Sequence, residues 1–208
     1  MGEARLRSFA VTATRLLAPA KVTLSLRMTG LRDDGYHLID AEMVTVDLCD
    51  ELLIDPAGSG VTVAGADVDD TLVAGALRLA GRTAGVTLTK RIPAGAGLGG
   101  GSSDAAAVLR WAGYDDLVGA SGLGADIAFC LVGGRARVRG IGEIVDPLPF
   151  EERTLTLLTP PFGCSTPAVY AAWDELGGPT GRRSRSTLAA TARARWRRGR
   201  DRRDPGRG

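Results

Sequence analysis

The chain has 208 residues, of which 44% are apolar, so it can bury a substantial core as one large domain or two small ones. No apolar run approaches the ~20 residues of a membrane span, and the N-terminal segment is too interrupted for a signal peptide. The cysteines, at positions 49, 130 and 164, are not closely spaced, so we expect free thiols in a reducing cytoplasm.

Hydrophobic periodicity predicts a series of mixed elements along the chain. Strands are expected over 44–54, 86–92, 136–138 and 155–159, and helices over 72–82 and 167–176. The alanine-rich run at 105–111 is a strong helix former, with Ser102, Ser103 or Asp104 available as its N-cap.

Between the strand at 86–92 and the helix at 105–111 lies a loop with five glycines in residues 95–101. Glycine reaches positive φ angles freely and lets backbone NH groups approach a ligand's oxygens. A helix N-terminus directly after the loop adds partial positive charge and unpaired NH donors. The pattern predicts a phosphate-binding loop, and the preceding strand argues against the alternative of a flexible linker.

Two well-known phosphate loops fit less well. A Walker A loop requires a lysine followed by serine or threonine, and this loop has no lysine. The spacing of Gly95, Gly97 and Gly100 does fit a dinucleotide-binding fingerprint. That interpretation ranks second, because the strand before the loop carries Lys90 and Arg91 where such a strand is usually apolar.

Two further segments accompany the loop PAGAGLGGGSSDAA at 93–106. They are PAKVTLSL at 19–26, followed by TGLRDDGYH at 29–37, and GLGADIAF at 122–129. The three motifs, in this order, resemble those of the GHMP small-molecule kinases, and the resemblance extends from about residue 15 to about residue 179.

The resemblance implies an α+β GHMP kinase fold. Residues 1–154 would form a nearly complete N-terminal ATP-binding domain, of the type called ribosomal protein S5 domain 2-like. Residues 155–179 would begin a ferredoxin-like C-terminal domain that is otherwise largely missing, together with the family's third glycine-rich motif. Residues 180–208 would be a disordered tail.

The resemblance also implies residue roles. Asp126 would be the general base on the acceptor hydroxyl, with Lys21 beside it, although an aspartate after Gly-Ala is often only a helix cap. The acceptor would be a cytidine diphosphate-linked methylerythritol, in contact with Thr23, Tyr36, His37 and Tyr170; the alternative for Tyr170 is a core position. ATP, with Mg²⁺ whose protein ligands are not assigned, would be bound by Pro93, Gly95, Gly97, Leu98, Gly99, Gly100, Gly101, Ser102, Ser103 and Asp104.

The charge of the chain is strongly divided. Residues 1–179 carry 15 basic and 22 acidic side chains, whereas residues 180–208 carry 11 arginines and two aspartates. We interpret this tail as the product of a shifted reading frame. A truncated nucleotide-binding relative without turnover is the second hypothesis for the function, and an RNA binder that uses the arginine-rich tail is the third. Nucleic acid is otherwise not an expected partner, whereas exposed strand edges make a homodimer possible.

Overall fold

The computed structural model describes residues 13–64, 71–158 and 165–177, together with the backbone of 193–194. The chain order of its elements is β1 (Thr14–Leu31), β2 (His37–Asp55), β3 (Gly60–Val63), α1 (Thr71–Leu79), β4 (Gly85–Thr89), α2 (Gly100–Ala112), α3 (Leu117–Leu123), α4 (Ile127–Val132), β5 (Arg135–Gly140), β6 (Ile144–Pro147), β7 (Leu155–Thr156), α5 (Thr166–Glu175) and β8 (Arg193–Ala194). The expected mixture of helices and strands is confirmed.

One mixed sheet organises these elements. Its strand order is β3-β4-β2-β5-β6, and β1 pairs with β2 in a long antiparallel hairpin. Only β3 and β4 run parallel, and all other pairs in this sheet are antiparallel. A dinucleotide-binding fold is built on a mostly parallel sheet, so that alternative for the glycine loop is wrong.

The hairpin of β1 and β2 is irregular near its middle. Its register shifts between Pro19 and Lys21, and again between Thr23 and Ser25. On β2 the buried positions change parity across this region, from odd numbers such as Met43 to even numbers such as Leu52. Because a strand's side chains alternate between faces, the irregularity lets both halves of β2 supply the same core. Lys21 directly follows the first of these register shifts.

The main core lies between the sheet and α1, α2 and α4. It contains fully buried side chains from both layers, including Leu52, Leu88, Leu109, Phe129 and Val138. A smaller cluster forms beside the glycine loop from Ala20, Val46, Ile92, Leu98 and Leu157. This second cluster anchors both ends of the loop against the β1–β2 hairpin.

Two local predictions at the loop are wrong. The strand before it ends at Thr89 rather than at residue 92. Helix α2 begins at Gly100 with Gly99 as its N-cap in the left-handed conformation, and no side chain caps it. The predicted cap residues Ser102, Ser103 and Asp104 therefore lie inside the first turns of α2. The glycine at the cap adopts the left-handed conformation freely, so the helix begins there without a side-chain acceptor.

The tail at 180–208 lies outside the described residues except for the backbone of β8, which pairs with β7. Its expected disorder and the domain boundary after residue 154 stay predictions. None of the described helices is both long and apolar enough to cross a membrane.

Candidate functional site

The glycine loop borders a cavity of about 300 Å³. Residues 92–102 line it, together with Leu72 and Lys90. Three glycines in this wall, Gly95, Gly97 and Gly99, have φ angles of 68°, 72° and 66°. L side chains are strained in that region, so the curvature of the loop depends on glycine at alternate positions.

The N-terminus of α2 opens onto the same cavity. The bond from the Ser103 N–H to the Gly99 carbonyl, at 2.8 Å, is the first of the helix. The NH groups of Gly100, Gly101 and Ser102 precede that bond, and all three residues line the cavity. Amide donors and the positive end of the helix dipole thus meet at one wall, which suits an anion such as phosphate.

Lys21 and Asp126 form an ion pair at this site. The Lys21 Nζ lies 3.1 Å from the Asp126 Oδ2, and 3.3 Å from the Thr23 hydroxyl. Lys21 is only 8% exposed, whereas the Asp126 side chain is 31% exposed. Asp126 stands at the N-terminus of α4, but its carboxylate makes no capping bond. Asp126 is therefore the N-cap residue by position, but its carboxylate faces the ammonium and does not cap the helix.

The ion pair and the loop are in direct contact. The Lys21 N–H donates to the Leu98 carbonyl at 2.9 Å. A Cβ placed on Gly99 would lie 2.8 Å from the Lys21 Cγ and 3.1 Å from its Cε, so the lysine chain crosses the space that glycine leaves open. Helix α3 lies in the connection between α2 and Asp126.

Two predicted phosphate-binding residues are engaged elsewhere. The Ser103 hydroxyl donates to the Pro19 carbonyl at 2.5 Å, and its side chain is buried. Asp104 is also buried, and it accepts from the Lys90 ammonium at 2.6 Å. Neither lines the cavity, whereas Pro93 and the other predicted loop residues do. Ser103 and Asp104 hold α2 against its neighbours.

Lys90 joins two buried carboxylates. Its Nζ lies 2.5 Å from the Asp50 Oδ2 and 2.6 Å from the Asp104 Oδ2, and both aspartates are 0% exposed. Burial alone would lower the pKa of Lys90, but hydrogen bonds to Asp104 and Asp50 outweigh it and raise that pKa above its ordinary value. Lys90 is therefore charged at neutral pH.

A third group of residues lies where α5 meets the start of β2. The His37 Nε2 lies 2.8 Å from the Asp174 Oδ1, and the rings of His37 and Tyr170 are 5.0 Å apart. Burial, and then the charge of Asp126, raises the pKa of Tyr170. Tyr170 thus contacts His37 and belongs to neither of the two core clusters. Tyr36 is separate from this group: it is 59% exposed and lies beside the Arg32 guanidinium.

Sequence reasoning missed Asp50, Lys90 and Asp174. An aspartate inside the apolar strand 44–54 and a lysine near the end of 86–92 were the available signals, since buried charges are normally paired. Nothing local indicates the contact between His37 and Asp174, which are 137 residues apart. Among the residues that the structure describes, no group of three His, Cys, Asp or Glu side chains could hold a metal ion.

The fold and this site resemble one class of protein. Residues 71–134 match the family model of the GHMP kinases N-terminal domain. A solved mevalonate pyrophosphate decarboxylase from Streptococcus pyogenes shares the fold, with a TM-score of 0.53 at 9% identity over 74% of this chain and 56% of that one.

More specifically, the chain is similar to 4-diphosphocytidyl-2-C-methyl-D-erythritol kinases. It is 45% identical to that kinase of Paracoccus denitrificans, over 76% of this chain and 60% of the relative. The kinase of Carboxydothermus hydrogenoformans is 43% identical over 74% and 61%. A crystal structure of 4-(cytidine 5'-diphospho)-2C-methyl-D-erythritol kinase has a TM-score of 0.64 at 40% identity, over 76% of this chain and 64% of that one. The chain spans about three fifths of the length of these curated relatives.

Proposed function

We propose that the protein transfers the γ-phosphoryl group of ATP to the 2-hydroxyl of 4-diphosphocytidyl-2-C-methyl-D-erythritol, in non-mevalonate isoprenoid biosynthesis. The observation that carries this proposal is the Lys21–Asp126 pair, 3.1 Å apart, whose lysine contacts Leu98 and Gly99 of the cavity wall. The relatives named for this activity, at 38–45% identity, supply the identity of the acceptor.

The chain's own groups divide the work of phosphoryl transfer. The amides of Gly100, Gly101 and Ser102 hold the phosphates and offset their negative charge. Asp126 accepts the proton of the acceptor hydroxyl, while Lys21, 3.1 Å away, orients that carboxylate and stabilises the charge that develops on the phosphoryl oxygens. Since the described residues offer no three-ligand metal site, Mg²⁺ would arrive on the nucleotide and neutralise phosphate charge there.

The cytidine end of the acceptor would bind at the group of His37 and Tyr170. A flat pyrimidine gains by stacking on a tyrosine ring, and an imidazole nitrogen can form a hydrogen bond with a base edge. Thr23 is next to Lys21. Its hydroxyl would form a polar contact with the methylerythritol part of the acceptor. The exposed Tyr36 would join only by closing over the base. The free Cys49 and Cys130 thiols suit a reducing cytoplasm.

A coupled assay for ADP release tests the proposal. The purified chain is given ATP, Mg²⁺ and 4-diphosphocytidyl-2-C-methyl-D-erythritol, and is compared with Asp126→Asn. Asp146→Asn is the matched control, because that carboxylate is half-exposed and paired with Arg139 on the strand pair β5–β6. We expect acceptor-dependent ADP release that falls at least about 10²-fold in Asp126→Asn and not in the control.

The alternatives give different results in the same assay. ATP binding without acceptor-dependent ADP release would identify a nucleotide-binding relative that does not turn over. Equal activity in Asp126→Asn and the unaltered chain would refute the assignment of the base. RNA binding that is lost when residues 180–208 are deleted would support the tail hypothesis instead. Dimerisation stays a prediction, which the sedimentation velocity of the same sample would test.

A further inference from the structure

We propose that Lys90, Asp50 and Asp104 form a buried clasp that holds the glycine loop in its phosphate-binding shape, with Lys90 acting as a positioning residue and not as a ligand of phosphate. The inference rests on the proposed function for the identity of the ligand. The shape of the loop itself is measurable without any ligand.

Asp50 fixes the point where the chain leaves the sheet. The last paired residue of β4 is Thr89, opposite Glu51 on β2. Beyond it the Asp50 Oδ1 accepts from the N–H of Arg91 and, at 2.8 Å, from that of Ile92. A side-chain carboxylate thus replaces the ladder bonds that the departing backbone gives up, since buried NH groups require acceptors. The direction in which residues 91–92 enter the loop is set by this one carboxylate.

Lys90 connects that exit to the place where the chain enters α2. Its ammonium joins Asp50 to Asp104, which lies one turn into the helix. A Cβ placed on Gly100 would lie 3.2 Å from the Lys90 Nζ, so the ammonium sits directly behind the helix N-terminus. One side chain therefore ties together the two ends of the loop. Charged hydrogen bonds between buried groups are strong and directional, which suits a fixed span.

The charge balance argues against a direct role for Lys90 on phosphate, although Lys90 also borders the cavity. Two carboxylates lie within 2.6 Å of this one ammonium, so its charge is already engaged. A phosphate would have to compete with both of them for the ammonium. The two roles therefore predict opposite effects of neutralising one carboxylate. If Lys90 acts as a clasp, neutralising one carboxylate loosens the loop and ATP binds more weakly. If Lys90 is a phosphate ligand, the same change frees its ammonium and ATP binds more tightly.

Hydrogen exchange in the ligand-free protein tests the clasp independently of any activity. Asp104→Asn and Asp50→Asn each keep side-chain size and an oxygen while removing one charge, and either alone suffices if the other does not fold. Arg91→Gln is the control, because Arg91 is exposed and outside the cavity lining. We expect amides at 91–101 to exchange about tenfold faster or more in the aspartate variants, with amides in the interior of α2 unchanged.

Calorimetric titration of the same variants with MgATP shows whether ATP affinity falls, as a clasp predicts, or rises, as a phosphate ligand predicts. We expect ATP to bind about 10- to 100-fold more weakly in Asp104→Asn and Asp50→Asn, and normally in Arg91→Gln. Tighter binding, or loop exchange and affinity equal to those of Arg91→Gln, would overturn the clasp. Failure of the unaltered chain to bind ATP would refute the proposed function instead, and the exchange result would still decide whether the clasp shapes the loop.

Discussion

Gly99→Ala is the most specific perturbation of the site. Gly99 has a φ of 66°, and its missing Cβ would lie 2.8 Å from the Lys21 Cγ and 3.1 Å from its Cε. The left-handed conformation costs an alanine about 1–2 kcal/mol. Lys21 is 8% exposed, and the shortest contact falls on its Cγ, close to the backbone. The lysine side chain therefore has little space in which to move aside. Its ammonium should move away from Asp126.

The comparison with Gly81→Ala separates strain from displacement. Gly81 has a similar φ of 60°, no atom within 4 Å of its Cβ position, and no place in the cavity lining. Both variants should lower the melting temperature by about 2–8 °C. Only Gly99→Ala should lower kcat for ADP release, by about 10²-fold, because about 1 Å of misplacement at a reacting group has that effect. Normal kcat in Gly99→Ala would refute the claim that Gly99 positions Lys21.

Three further predictions concern the surrounding structure. Ser103→Ala should cost about 1–3 kcal/mol in urea unfolding, because the half-buried Pro19 carbonyl loses the Ser103 donor. MgATP affinity should be unchanged, and weaker binding would instead make Ser103 a phosphate ligand. Burial raises the pKa of the Cys130 thiol to about 12 from 9.0. The folded state then holds a proton that the unfolded state loses above pH 9, so stability should fall between pH 9 and about 12, and Cys130→Ala should flatten that slope in urea titrations. Leu109→Ala should cost about 2–5 kcal/mol by the same method, since Leu109 is fully buried in the main core, and a loss below 1 kcal/mol would contradict that placement.

Local sequence signals predicted much of the fold. The glycine loop between a strand and a helix stands where periodicity and composition placed it, because glycine and alternating apolar residues act within a few positions of themselves. The strand expected over 44–54 is the second half of the longer β2. The first half was not predicted, although its buried positions Ile39, Ala41 and Met43 alternate as in a strand. The prediction of the α2 cap was wrong because the polar residues at 102–104 are typical N-caps, whereas the observed cap is Gly99.

The parts of the site that depend on tertiary packing were less predictable. The closeness of Lys21 to Asp126 followed only from the family resemblance, since a register shift in β1 and the return of the chain through α3 create it. The bond between Asp50 and Lys90 joins β2 to the residue that follows β4, and no spacing rule connects them. Such contacts are set by packing of distant segments, so a single sequence shows the residues but not the pairing.

A crystal structure of the chain with a non-hydrolysable ATP analogue and Mg²⁺ tests the central claim most directly. We predict triphosphate oxygens within hydrogen-bond distance of the amides of Gly100, Gly101 and Ser102, with the terminal phosphate turned toward Lys21 and Asp126. A nucleotide bound outside the glycine-lined cavity, or a terminal phosphate directed away from Asp126, would contradict the account.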